Sequence, residues 1–151
     1  MSPRVGIGYD SHRFEDGARL VLGGVEIEHE RGLVGHSDAD VLTHAIIDAM
    51  LGAAGLGDLG QHFPDDEERW QDADAIDLLR AVVGQLPGRV TNVDATLICE
   101  EPRIGPHRAE MERALSGALS APVSVKASTN EGMGWIGRGE GIACVAVAMI
   151  E

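Results

Sequence analysis

Asp10 and His12 stand two residues apart where the apolar stretch 4–9 runs out, and His44 lies in a later segment of helical pattern. On a strand, residues two apart project to the same face, so the carboxylate and the imidazole can reach one point. One aspartate and two histidines, with a fourth position left open, form a donor set suited to a catalytic Zn²⁺ or a related divalent ion. The same residues also fit a plainer arrangement, a strand-end aspartate capping the next turn beside an unrelated helix histidine. Asp48 follows His44 by one helical turn and is spaced to orient its ring as an outer partner.

Further polar groups cluster at four places. His36 and Ser37 sit at the mouth of the helix that carries His44. A helix N-terminus offers free N–H groups and partial positive charge, so His36 can add a hydrogen bond to a phosphate held there while Ser37 caps the helix. Asp38 and Asp40 read as partners of the first-turn dipole rather than as catalysts. The loop with Asp58, Gly60, Phe63, Pro64 and Asp65 supplies carboxylates and a backbone able to close over a ligand, or is simply a solvated acidic loop. Near the C-terminus, Lys126-Ala127-Ser128-Thr129-Asn130-Glu131 gathers two hydroxyls, an amide and a carboxylate; Glu131 suits Mg²⁺, which takes a few carboxylates together with substrate phosphates. Arg138, between glycines, offers a planar fork to a phosphate, and the same glycine run also fits a hairpin turn. His29, His62 and His107 read as surface or packing residues. The phosphate loop G-x-x-x-x-G-K-[ST] is absent, Gly6-Ile7-Gly8 opens no helix, and neither a G-x-S-x-G elbow nor a Cys/His pair supplies a nucleophile.

The elements that must position these groups follow from periodicity and turn chemistry. Residues 4–9 read as a short strand, and LVLGGVEI as a hairpin about Gly23 and Gly24. Ser37-Asp38-Ala39-Asp40 fits a capping box, which predicts the first long helix from Ser37 to about Gly52. GAAGLGDLGQHFPDDEE reads as a long loop, a kind of segment that tends to be functional. A second helix is expected over about residues 74–83, a strand over 90–99, and a third helix from Pro106 to about Leu119. Two last strands, near 123–128 and 142–150, flank the loop NEGMGWIGRGEG. The expected fold is α+β, a mixed four-stranded sheet with helices packed on one face and a small hairpin, in one domain over residues 1–151.

Composition narrows the function further. The chain has 151 residues, 44% hydrophobic but only 3% aromatic, enough for one aliphatic core. Its 25 acidic residues outweigh 12 basic ones, a net charge of −13, which argues against a nucleic-acid partner. If the ligand is phosphorylated, so acidic a chain needs local cations from arginine, helix N-termini or metal ions. No apolar run reaches the roughly 18 residues of a membrane span, and the N-terminus lacks signal-peptide sections. Cys99 and Cys144, far apart in apolar runs, read as buried thiols of a cytoplasmic protein.

The order of five blocks carries a resemblance along the whole chain. G-Y-D-S-H-R-F, H-S-D-A-D-V-L-T-H, G-L-G-D-L-G-Q-H-F-P-D, E-P-R-I-G-P-H and K-A-S-T-N-E-G-M-G-W-I-G-R-G-E-G-I-A together resemble the 2-C-methyl-D-erythritol 2,4-cyclodiphosphate synthase family. The resemblance implies a homotrimer with active sites between subunits and a metal, Zn²⁺ by its donor set, on Asp10, His12 and His44. The implied substrate is 4-diphosphocytidyl-2-C-methyl-D-erythritol 2-phosphate, whose own 2-phosphate attacks the β-phosphorus and expels CMP. His36 and Thr129 would stabilise the transition state. Asp10, His12, His36, Ser37, Asp58, Gly60, Phe63 and Asp65 would hold the substrate on one side. Pro102, Arg103, Ile104, Gly105, Pro106, Ala127, Ser128 and Thr129 would hold its cytidine from the neighbouring subunit. Glu131 would bind Mg²⁺ or Mn²⁺ on the diphosphate, and Trp135 and Arg138 complete the implied contacts. Ser128 stands where threonine is usual, threonine or asparagine is familiar where Asn130 stands, and Trp135 replaces a common phenylalanine. Two other readings remain at this stage: a metal-dependent phosphohydrolase in which bound water attacks, and a non-catalytic trimeric binding module.

Overall fold

The computed structural model describes residues 1–151. Its first strand, β1 (Arg4–Asp16), is far longer than the expected one. Apolar character ends at Tyr9, but alternation does not: Gly6, Gly8, Asp10, His12 and Phe14 share the inward face while their neighbours point outward. A strand that pairs on both sides needs no continuous apolar run, and its polar half carries the chemistry. The hairpin β2 (Leu20–Leu22) and β3 (Val25–Ile27) forms as expected. A fourth strand, β4 (Arg31–Val34), had no distinct sequence signal and pairs with the far half of β1, Arg13 opposite Val34 through Asp16 opposite Arg31.

The helix α1 (Val41–Ala54) starts four residues later than the capping-box reading placed it. Ser37 and Ala39 take left-handed backbone (φ 54° and 56°), which no helix accommodates. Asp40 is the true cap, accepting the Thr43 N–H. Gly55, at φ 70°, ends the helix by returning its N–H to the carbonyls of Gly52 and Leu51. Within the expected long loop, α2 (Leu59–His62) forms a single turn capped by Asp58. Next come α3 (Ala75–Val83), β5 (Val90–Ile98), α4 (Arg108–Leu119) after a 3₁₀ turn at Gly105–His107, β6 (Val123–Ser128), the short α5 (Gly134–Gly137) and β7 (Gly141–Ile150).

The main sheet has five strands in the order β4-β1-β7-β5-β6, not the four expected. It is mixed: β5 and β6 run parallel, joined through α4, and every other pair is antiparallel. The core is one aliphatic cluster, with Leu42, Ile46 and Met50 of α1, Leu79 of α3, Met111 and Leu115 of α4, and Leu97 of β5. Phe63 is the only fully buried aromatic in it. Cys99 and Cys144 are buried free thiols. Burial and the nearby Glu100 charge push the Cys99 thiol up to about 11, and burial pushes that of Cys144 up as well, so neither is an activated nucleophile.

Two glycines bring α1 down onto the sheet. A Cβ on Gly6 would stand 2.0 Å from the Ala49 carbonyl oxygen, and one on Gly8 would stand 1.9 Å from that of Ala45. Only glycine permits this contact, and it fixes the height of α1 over β1. The outward face of the sheet is bare by contrast. Val5, Ile7 and Tyr9 of β1 and Val147 of β7 are 65%, 70%, 55% and 40% exposed. No helix is long and apolar enough to cross a membrane.

Candidate metal centre

The packing of Gly8 against Ala45 places the preceding residue of α1, His44, over the inward-facing pair two and four residues farther along β1. Asp10 Oδ2 lies 2.8 Å from His12 Nε2 and 3.2 Å from His44 Nδ1, and the two nitrogens are 3.3 Å apart. Around an ion at 2.0–2.1 Å, neighbouring tetrahedral ligands stand about 3.3 Å apart. The triangle is therefore close to one face of a tetrahedron, with its fourth corner left for another ligand. His44 is buried and Asp10 and His12 are partly so. Burial would push the Asp10 carboxyl up, but hydrogen bonds from His12 and His44 and their charge outweigh it and hold it at about 2. Burial would lower His44, and the hydrogen bond and charge of Asp10, with the charges of Asp40 and Asp38, raise it instead.

The outer partner of His44 is not Asp48. Asp48 Oδ1 accepts the Leu59 N–H at 2.7 Å and so pins the start of α2, while burial pushes its carboxyl up. His44 Nε2 meets Ser37 Oγ at 3.0 Å, and Ser37 Oγ donates to Asp38 Oδ1 at 3.2 Å. Asp38 also accepts the N–H of Asp40 at 3.1 Å and that of Ala75 at 3.1 Å. Asp40 is wholly buried. It accepts from Gly23 N (2.9 Å), Gly24 N (2.8 Å), Thr43 N (3.0 Å) and Thr43 Oγ1 (2.8 Å). Both aspartates are ties between elements rather than mere dipole partners.

A pocket of about 270 Å³ opens over the trio, lined by Asp10, His12, His36, His44, Asp48, Asp58, Leu59 and Gly60. His36 stands edge-on to His44 with ring centres 6.0 Å apart. Neither of its ring nitrogens has a hydrogen-bond partner, although both are buried. A buried imidazole left unpaired is costly unless a ligand completes it. Asp58 faces this pocket while capping α2 through Gln61 N at 3.0 Å. Phe63, by contrast, is buried with its ring edge-on to Trp70, 4.9 Å between centres, so its side chain belongs to the core and only its backbone can face a ligand. Asp65 is exposed on the same loop.

A second pocket, of about 480 Å³, is lined by Cys99, Glu100, residues 102–106, Ala127, Ser128 and Thr129. It gathers the expected cytidine-side residues and shares no lining residue with the metal pocket. Glu131 is exposed in a left-handed turn (φ 55°), outside the metal trio. Trp135 lines another recess with Ser11, Arg13, Glu140 and His12, the last of which also lines the metal pocket. Arg138 makes one exposed contact with Glu140, Nε to Oε2 2.6 Å. One contributor escaped the sequence reading. Glu100 accepts Asn130 N through Oε2 and Gly132 N through Oε1, each at 2.8 Å, and so clamps the turn that presents Thr129 and Glu131. An acid at a strand end announces no such role, because its partners lie 30 residues away.

An inward-facing Asp-x-His on a strand, completed by a histidine from the helix packed on it and open at one corner, defines an α+β protein with a group able to hold a divalent metal. The chain belongs to the YgbB family, whose profile matches residues 3–151. It is 54% identical to the 2-C-methyl-D-erythritol 2,4-cyclodiphosphate synthase of Syntrophomonas wolfei, over 98% of both chains. Among solved structures it is similar to a 2C-methyl-D-erythritol-2,4-cyclodiphosphate synthase in a CDP-bound form, with a TM-score of 0.89 and 33% identity over 98% of this chain and 100% of that one. The bifunctional IspDF from Campylobacter jejuni matches with a TM-score of 0.93 and 34% identity, over 98% of this chain and 42% of that longer one.

Proposed function

We propose that the chain is a 2-C-methyl-D-erythritol 2,4-cyclodiphosphate synthase, a phosphorus–oxygen lyase of non-mevalonate isoprenoid synthesis. The observation that carries this reading is the Asp10, His12 and His44 trio beside a half-buried His36 whose two ring nitrogens are buried without partners. In 4-diphosphocytidyl-2-C-methyl-D-erythritol 2-phosphate, an oxygen of the 2-phosphate forms a bond to the β-phosphorus. The bond from that phosphorus to the bridging oxygen breaks, and CMP leaves with the bridging oxygen. Nucleophile and electrophile belong to one molecule, which accounts for a site without an activated cysteine or serine. Good alignment of such groups is worth about 7–11 kcal/mol. The work left to the protein is positioning and charge neutralisation.

Asp10, His12 and His44 would hold Zn²⁺, which supplies Lewis-acid neutralisation of phosphate charge. His36 donates a hydrogen bond to a phosphoryl oxygen as charge builds there, with Ser37, Asp58, Gly60 and the backbone at Phe63 and Asp65 framing the methylerythritol. The second pocket, which gathers the cytidine-side residues that the resemblance implies, takes the cytidine, and a structural neighbour is recorded in a CDP-bound form. Its Thr129 hydroxyl faces the diphosphate, and Glu131 holds Mg²⁺ or Mn²⁺ there.

The resemblance implies a homotrimer with its sites between neighbouring subunits, and the separate linings of the two pockets in one chain are compatible with that arrangement. The bare apolar strip of Val5, Ile7, Tyr9 and Val147 supports this, since a free monomer has little reason to leave it in water. Incubation of the protein with substrate and Mg²⁺, followed by phosphorus NMR, tests the assignment. CMP and a cyclic diphosphate are expected. An open-chain bisphosphorylated product would instead make the chain a hydrolase, and no turnover at all would leave a binding module.

A further inference from the structure

The hydroxyl of Ser37 sits where a substrate-binding serine is expected, yet its hydrogen bonds point away from the open corner of the trio. Its oxygen lies 3.0 Å from His44 Nε2 and 3.2 Å from Asp38 Oδ1. A carboxylate only accepts, so the single Ser37 proton goes to Asp38. The lone pairs of Ser37 are then left to accept, and the contact with His44 requires that Nε2 carry the hydrogen. The other ring nitrogen, Nδ1, is the one turned toward Asp10 Oδ2 and His12 Nε2. Without an ion it donates its hydrogen to Asp10, and with Nε2–H held by Ser37 it is Nδ1 that is left to offer a lone pair to an ion bound there. The arrangement is held from three sides. Asp38 is fixed by the N–H groups of Asp40 and Ala75, and Ser37 is held at φ 54°, a left-handed conformation that a serine adopts only at an energetic cost.

We propose that Ser37, backed by Asp38, is a positioning residue of the metal centre: it selects the His44 tautomer and ring orientation that present Nδ1 to the ion. The proposal rests on the metal reading of Asp10, His12 and His44, and assigns the Ser37 hydroxyl to the metal centre, leaving only its backbone to border the substrate. Outer partners of this kind typically change metal affinity 10–100-fold when removed. The backbone conformation supplies a clean test, because glycine takes φ 54° more readily than serine and removes the hydroxyl without strain.

The test compares the wild type, Ser37→Gly, Ser37→Ala and His44→Ala as purified full-length protein. Zinc affinity is measured by competition with a chromogenic chelator, and the ring N–H of His44 is followed by ¹⁵N-resolved NMR in the zinc-loaded state. Wild type should show a slowly exchanging His44 Nε2–H. Ser37→Gly should lose that signal and bind zinc roughly 10–100-fold more weakly, with circular dichroism and unfolding midpoint at least as good as wild type. Ser37→Ala should follow it; if that variant unfolds, Ser37→Gly alone decides. Wild-type zinc affinity with the Nε2–H retained in Ser37→Gly would overturn the proposal, and so would unchanged zinc binding with reduced turnover, which would return Ser37 to the substrate. Should His44→Ala itself bind zinc as tightly as wild type, the metal reading would fail, a result separable from any Ser37 outcome.

Discussion

At the residue scale, three side chains make up the candidate metal site, and two of them, Asp10 and His44, respond differently to acid. Asp10 stays ionised down to about pH 2, because its two histidine partners more than offset its burial. His44 is raised, so without metal it keeps its proton to higher pH than a free histidine, and an entering ion must displace that proton. The sign follows: zinc affinity climbs as pH rises through the raised His44 range and levels off above it, while Asp10 adds no slope above about pH 4. Chelator competition between about pH 5 and pH 8 should show that climb, and a flat profile would contradict it. His44→Ala removes one of three protein donors, and should abolish stoichiometric zinc binding and most turnover while the aliphatic core keeps the fold. Asp-x-His and its distant histidine were legible in the sequence because strand alternation is local. The outer partner was not. Asp48 has the right helical spacing, but spacing does not reveal that Leu59 N–H claims its carboxylate or that Ser37 reaches Nε2.

At the scale of elements, the site depends on where α1 begins and how low it lies. The sequence reading placed its start at Ser37 because serine, aspartate and a downstream acid imitate a capping box. In the fold Asp40 caps the helix, and the same carboxylate receives two N–H groups from the β2–β3 turn, a tertiary contact that local pattern does not encode. Asp40→Ala would leave several buried donors unpaired. A loss of about 3 kcal/mol is expected, a Tm fall on the order of 6–12 °C, measurable by calorimetry. Gly8→Ala should act through geometry instead. Its methyl group meets the Ala45 carbonyl, so α1 must lift and withdraw His44 from Asp10, and zinc affinity should fall even in molecules that remain folded. Glu100→Ala touches neither the ion nor the core of α1. It frees the 129–132 turn from its clamp, so turnover should drop about 10-fold or more while zinc affinity stays at the wild-type value. Equal loss of both would mean that Glu100 serves the fold generally rather than that turn. β4 and the second half of β1 were illegible for a related reason: their pairing is with each other, and neither has an apolar run of its own.

At the scale of the whole molecule, the separation of the two pockets is the feature that one chain leaves unresolved. The resemblance names their residues as one set, whereas a single chain presents them as two pockets with no lining residue in common. If a trimer closes each metal pocket with its neighbour's second pocket, lesions on opposite sides should complement. His12→Ala disables the metal face and spares the Thr129 face; Thr129→Ala does the reverse. Each homotrimer should be nearly inactive, the second chiefly in turnover, because its hydroxyl meets charge that develops only as the phosphoryl group transfers. In mixed trimers, some interfaces join an intact metal face to an intact Thr129 face, and these should work. Others combine both lesions and stay silent, so activity after mixing and refolding must return only in part. Native mass spectrometry of the mixture identifies the 2:1 and 1:2 trimers, so a failure to exchange subunits cannot be mistaken for a failure to complement. Mixed trimers that form and remain inactive would place both faces on the same subunit.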